Sequence, residues 1–213
     1  MEVCRYEDME AYGRISAKRR SRTETGRRSH KGTNPQGFTY TVKHFNISML
    51  MEKEPVYLAF STQKGGAGKT TLTVLVASYL HYVKGYDVAV VDCDYPQWSI
   101  HAQRERELSL IEHDDYHKLL LVRQFKATGR KLWPVLKCMP PEAPEEVERL
   151  LQSGYHPRII LYDLPGTVNA EGVIRLLASL DAVFVPMKAD KVVMESTLSF
   201  ARSLTTNLAQ DPT

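Results

Sequence analysis

Residues Tyr57 to Thr71, reading YLAFSTQKGGAGKTT, constrain this chain more than any other stretch. An apolar, β-prone run leads into a glycine-rich loop, and a Lys-Thr pair opens the helical pattern of Leu72 to Leu80. Strand, loop and helix in that order form the setting in which a glycine-rich segment binds nucleotide phosphate. The setting predicts an α/β fold, because the loop works where a strand delivers it to the start of a helix. Gly65, Gly66 and Gly68 leave room for the backbone to turn and approach an anion with its N–H groups. Lys69 is placed to reach the β- and γ-phosphate oxygens, and the Thr70 hydroxyl to coordinate Mg2+. A glycine-rich turn that merely joins two elements is the bland alternative, and the complete spacing speaks against it.

Two acidic strand ends extend this site. Asp87 to Asp92 is a nearly continuous apolar, β-branched run of the kind buried on both faces of a parallel sheet, and it ends in Asp92-Cys93-Asp94-Tyr95-Pro96-Gln97. Acidic groups at the carboxyl end of a parallel strand lie where open α/β sheets bind ligands. Asp94 is the candidate for orienting an attacking water and Asp92 for holding Mg2+ through its water shell. The pair also reads as a strand terminus followed by a helix N-cap. Arg158 to Asp163 is a second apolar strand ending in an acid, with Leu164-Pro165-Gly166-Thr167 after it, and Asp163 is a further candidate Mg2+ ligand.

These motifs together resemble the ParA/MinD family of deviant Walker A ATPases over about residues 55–205. Lys64, opening Lys64-Gly65-Gly66-Ala67-Gly68-Lys69-Thr70-Thr71, is similar to the family's signature lysine, and residues 64–71 form the implied nucleotide cradle. Asp92 to Gln97 resembles the A′ motif with Tyr95 inserted, and Asp163 to Gly166 resembles Walker B and its switch segment. The resemblance implies a three-layer, mostly parallel P-loop sandwich, with the family's last strand and helix missing here. It implies an ATPase of weak intrinsic activity that uses ATP and Mg2+. Lys64 would cross an ATP-dependent homodimer to the phosphates of the other subunit, with Lys64, Lys69 and Asp94 as the catalytic set. A partition or maintenance role for a plasmid, chromosome or mobile element follows from the same likeness, with non-specific DNA and a ParB-like protein as partners. The alternatives are a MinD-like membrane-associated regulator, disfavoured because Thr205 to Thr213 carries no positive charge, and a P-loop small-molecule kinase or ligase.

Charge divides the chain. Residues 1–50 hold 10 Lys and Arg against 5 Asp and Glu, whereas residues 51–213 hold 18 against 20. The leader reads as basic and disordered, able to meet nucleic acid by counterion release, as a solvated tail, or as an upstream extension of a chain that starts at Met49 or Met51. A turn and short strand are expected over Gly32 to Val42, and the ATPase domain over residues 51–213. Cys4, Cys93 and Cys138 form no C-x-x-C pair, which fits a reducing, cytoplasmic setting that includes the nucleoid. The histidines at 101, 113 and 117 read as surface residues, so no zinc site is expected. Residues 98–131 read as helical, Lys131 to Cys138 as an edge strand broken by Pro134, Pro144 to Leu151 as a short helix, Ala182 to Pro186 as the fifth strand, and Val192 to Ala209 as an amphipathic helix.

Overall fold

A computed structural model describes residues 31–33, 39–41, 55–62, 68–186, 195 and 198–202. Lys64, Gly65, Gly66, Ala67 and the basic residues of segment 14–30 lie outside these, as does most of the helix expected over residues 192–209. The chain divides into two units, Met1–Lys53 and Glu54–Thr213. In the first, β1 (Lys31–Thr33) and β2 (Thr39–Thr41) pair antiparallel, with Gly32 opposite Tyr40. The expected strand is present as β2, while its partner β1 falls on the glycine-containing stretch read as a turn.

The second unit is built on five parallel strands: β3 (Val56–Phe60), β4 (Val88–Asp92), β5 (Val135–Lys137), β6 (Ile159–Asp163) and β7 (Ala182–Phe184). Their order across the sheet is β5-β4-β6-β3-β7. Every residue of β4 and β6 is buried, as their continuous apolar sequences require of central parallel strands. Pro134 precedes β5 at one edge, and β7 forms the other. Successive side chains alternate between the two faces.

On one face Ala59, Ala89, Val91, Ile160 and Tyr162 pack with α4 (Ala143–Gln152), α5 (Val173–Ser179) and Phe200. On the other lies α1 (Lys69–Ser78), which continues through a π-helical turn over Tyr79–Val83 and ends at Gly85, with φ 77°. Its sheet-facing row Thr73, Ala77 and His81 is buried at a spacing of four. Both His81 ring nitrogens lie near carbonyls, 3.0 Å from Tyr86 O and 2.9 Å from Lys131 O, which ties the helix end to the approach to β5. The single helical stretch expected over residues 98–131 is two helices, α2 (Ser99–His113) and α3 (Asp115–Thr128). Asp114, extended at φ −132°, divides them, and its carboxylate accepts from Tyr116 N to start α3. Burying one Val, Leu or Ile of such a sheet contributes about 1.5–3 kcal/mol, so the continuous strands β4 and β6 supply much of the stability.

Candidate nucleotide-binding site

Parallel register sets the site before any side chain is considered. Asp92 ends β4, Asp163 ends β6, and the two are direct partners across the ladder, with Phe60 of β3 on the far side of Asp163. Both acids are fully buried. The sheet thus delivers two carboxylates, side by side, to its carboxyl edge, next to the strand that feeds the glycine-rich loop.

The two acids are treated differently. One Asp92 oxygen accepts from the backbone N–H groups of Ile100 and His101, both at 3.0 Å, and the other from Asp94 N at 3.3 Å. Asp92 therefore caps the first turn of α2, where the helix dipole favours a negative charge. The helix-capping alternative weighed for this acidic pair is the arrangement that Asp92 displays, and the cap spans eight and nine residues rather than two or three. Both oxygens of Asp163 are buried and neither meets a partner at full hydrogen-bond geometry, the Thr70 hydroxyl lying close enough to act on the carboxylate without that geometry. Burial pushes its carboxyl up to about 7; the neighbouring Thr70 hydroxyl opposes the rise, and Asp92 and Asp94 add to it.

Gly68 closes the loop at φ 83° and ψ 21°, a left-handed conformation that a residue with Cβ adopts only at a cost, and α1 begins at the next residue. Lys69 is buried at that first position. Its Nζ lies 3.6 Å from where a Cβ on Gly166 would stand, so the segment after β6 runs directly past the ammonium. Lys69 also acts on both nearby acids, favouring the charged form of Asp163 and Asp94. Asp94 is half-buried, and burial raises its pKa above the ordinary carboxylate value. Thr71 follows on the exposed side of the helix. Lys69, Thr70, Asp94 and Asp163 are thus brought together; Lys64 to Ala67 are outside the described residues.

The inserted Tyr95 makes a turn with Pro96 and Gln97, all three exposed. Gln97 N and Trp98 N donate to the Asp94 carbonyl at 2.8 and 2.9 Å, so the turn hangs on the same residue whose carboxylate faces Lys69. Trp98 stands at φ 38°, stacked edge-on against Tyr95 at 5.0 Å, with Lys137 Nζ 4.3 Å from its ring. Sequence reasoning missed this cluster, since no local signal places an indole in the left-handed region. It also missed that the first α2 amides serve Asp92.

An unpaired buried carboxylate beside a hydroxyl and a lysine, at the start of a helix, is a donor set suited to a hard cation and a polyphosphate. The described residues contain no cluster of three or more His, Cys, Asp or Glu suited to a metal ion, so any cation held here would rest on Thr70, Asp163 and the anion itself.

Residues 58–207 match the family profile of the CobQ/CobB/MinD/ParA nucleotide binding domain. No curated protein matches the chain. Among solved structures, a plasmid partition protein from Borrelia burgdorferi, bound to AMPPNP, is 19% identical; the match covers 75% of this chain and 73% of that one at a TM-score of 0.51. The MinD cell division protein of Aquifex aeolicus is also 19% identical, over 73% of this chain and 66% of that one, with a TM-score of 0.48. A ParA family ATPase from Chlorobium tepidum is 14% identical over 70% and 68%, with a TM-score of 0.45. At such identities the Borrelia protein supports the three-layer parallel fold and nothing finer.

Proposed function

Since the chain belongs to the CobQ/CobB/MinD/ParA nucleotide-binding domain family, we propose that it is a ParA-type ATP-hydrolysing switch whose ATP state is a homodimer. The observation that carries this reading is the buried, unpartnered carboxylate of Asp163 beside Thr70 and Lys69. In this proposal residues 64–71 wrap the phosphates with backbone N–H groups, and Lys69 neutralises charge on the β- and γ-oxygens. Thr70 and Asp163 hold Mg2+, which would supply charge stabilisation for the leaving phosphate. Asp92, its oxygens committed to α2, adds negative charge to the cation site through intervening water and fixes the helix. Asp94 orients the water that attacks the γ-phosphate, and Lys64 reaches the phosphates held by the other copy. The Lys69–Gly166 approach lets the segment after β6 sense whether a γ-phosphate is present.

Partition of a plasmid, chromosome or mobile element, through non-specific DNA and a ParB-like stimulator, is the process this switch would serve. The setting is cytoplasmic, at the nucleoid. Among the described residues no helix is long and apolar enough to cross a membrane. The domain assignment is part of the proposal: residues 51–213 hold the ATPase and residues 1–50 a basic leader.

The test is mass determination in solution with ADP and with AMPPNP, paired with phosphate release, on the wild type and on Lys64→Ala. An AMPPNP-dependent dimer that Lys64→Ala abolishes, together with at least tenfold slower hydrolysis, supports the sandwich switch. A Lys64→Ala protein with full hydrolytic or kinase activity as a monomer overturns it in favour of a small-molecule kinase.

A further inference from the structure

The helical layer made by α1, α2 and α3 buries little of its own apolar surface. Eight of the eleven large apolar side chains that stand exposed among the described residues belong to it. Along α1 and its π-helical turn, Leu75, Tyr79 and Val83 recur at a spacing of four on the side opposite the sheet-facing row, each about half exposed or more. No residue of α3 is buried, and Tyr116, Leu119 and Leu120 form an i, i+3, i+4 stripe at 63%, 45% and 41% exposure. Leu110 of α2, 49% exposed, and Leu120 also line an open groove of about 310 Å3 between the three helices, floored by Ile100 and Trp133. Leu110 and Leu120 thus join the groove to the exposed apolar stripe of α3. Singly scattered exposed leucines need no explanation, but a contiguous face rimmed by charge marks an interaction surface.

The rim charges indicate what covers the face. The exposed charges of α2 are Glu105, Glu107 and Glu112 with Arg106; Arg104 is turned inward, stacked 4.4 Å over Trp133 with Nη1 on that residue's carbonyl. The charges of α3 beyond its first residue are Lys118, Arg123 and Lys126. Glu112, Arg123 and Lys126 form no ion pair among the described residues. The hairpin thus carries an acid-rich helix and a base-rich helix flanking one apolar stripe. A two-fold axis across such a hairpin sets each acidic helix against the partner's basic one, twice, with the leucines between them.

We propose that the α2–α3 face is an isologous interface between two copies of this chain, formed without nucleotide and separate from the ATP-dependent dimer. It leaves the carboxyl edge of the sheet, with Lys69 and Asp163, free.

The experiment is sedimentation velocity on the full chain in EDTA, without nucleotide, up to concentrations on the order of 100 µM. Reversible dimerisation is expected, weakened about tenfold or more in L119E/L120E and also in R123E/K126E. Adding E105K and E112K to the second variant inverts both rims together and restores association. Circular dichroism and AMPPNP binding unchanged from wild type establish that the variants are folded. A wild type that stays monomeric at the highest concentration overturns the proposal, as does a folded L119E/L120E that associates like wild type, or a double inversion that fails to recover. An AMPPNP-induced dimer present in wild type and L119E/L120E alike belongs to the other interface, so the two readings stand or fall separately.

Discussion

Asp163 is buried without a partner, and that imbalance sets measurable behaviour. Folded, its carboxyl titrates at about 7 because burial disfavours the charge; unfolded, it returns to the ordinary aspartate value of 3.8. Between those values the folded chain binds the extra proton, so in the nucleotide-free protein stability falls as pH rises from about 4 to 7 and is flat above. His81 acts oppositely: burial lowers its pKa, so its contribution fades as pH drops below about 6.5. Comparing chemical denaturation of wild type and Asp163→Asn across that range isolates the aspartate, since His81 acts in both, and the stability of wild type relative to Asp163→Asn should fall between pH 5 and 7. At pH 8 Asp163→Asn should be more stable than wild type without ligand, by up to about 2–4 kcal/mol, while losing Mg2+-dependent nucleotide binding. Conversely, binding of Mg2+-nucleotide to wild type should tighten as pH rises through about 7 and release a proton, readable by calorimetry in buffers of different ionisation enthalpy.

At this scale the sequence made placement legible, with Lys69 and Thr70 opening α1 and the two acids ending apolar strands, while their chemical roles belong to the proposal. The division of labour between Asp92 and Asp163 was not, because it depends on α2 starting within reach of Asp92, a tertiary placement.

Among the elements, the helices illustrate how local rules meet packing. Gly172 opens α5 at φ 75°, and a Cβ there would come within 2.7 Å of Pro141 Cγ. Gly172→Ala combines left-handed strain with overpacking, and is expected to cost about 2–4 kcal/mol and to lower the melting temperature without changing nucleotide affinity in the folded fraction. Gly154→Ala has a similarly positive φ, 87°, but open space around the new methyl, so its cost should be the smaller. The central strands were readable because burial on both faces leaves a short, continuous apolar run, and its length and β-branched content mark it as strand rather than helix. The break between α2 and α3 was not, since Asp114 sits in a stretch whose apolar periodicity carries across it. The buried thiols Cys93 and Cys138, with Sγ atoms 3.9 Å apart, directly follow strands β4 and β5, which only the sheet order makes neighbours. Their hydrogen bond, and then burial, hold Cys93 protonated, which suits packing rather than reactivity.

Across the whole molecule, the strand order is the feature with the widest reach. β3, which carries the glycine-rich loop, lies between β6 and β7, with Val56 opposite Ile159 and Leu58 opposite Ala182. Neither neighbour precedes it in the chain. During synthesis β3 must wait for roughly a hundred further residues before it can pair, about 5–20 s at 5–20 residues per second. β4 and β5 can find each other in that interval, as Val90 pairs with Val135, but the candidate acid Asp163 arrives with β6, the strand that first gives β3 a partner. Assembly of the candidate nucleotide site and the first pairing of β3 are therefore one event in time, and a nascent chain shorter than that holds the loop's sequence without the acid that the proposed site requires.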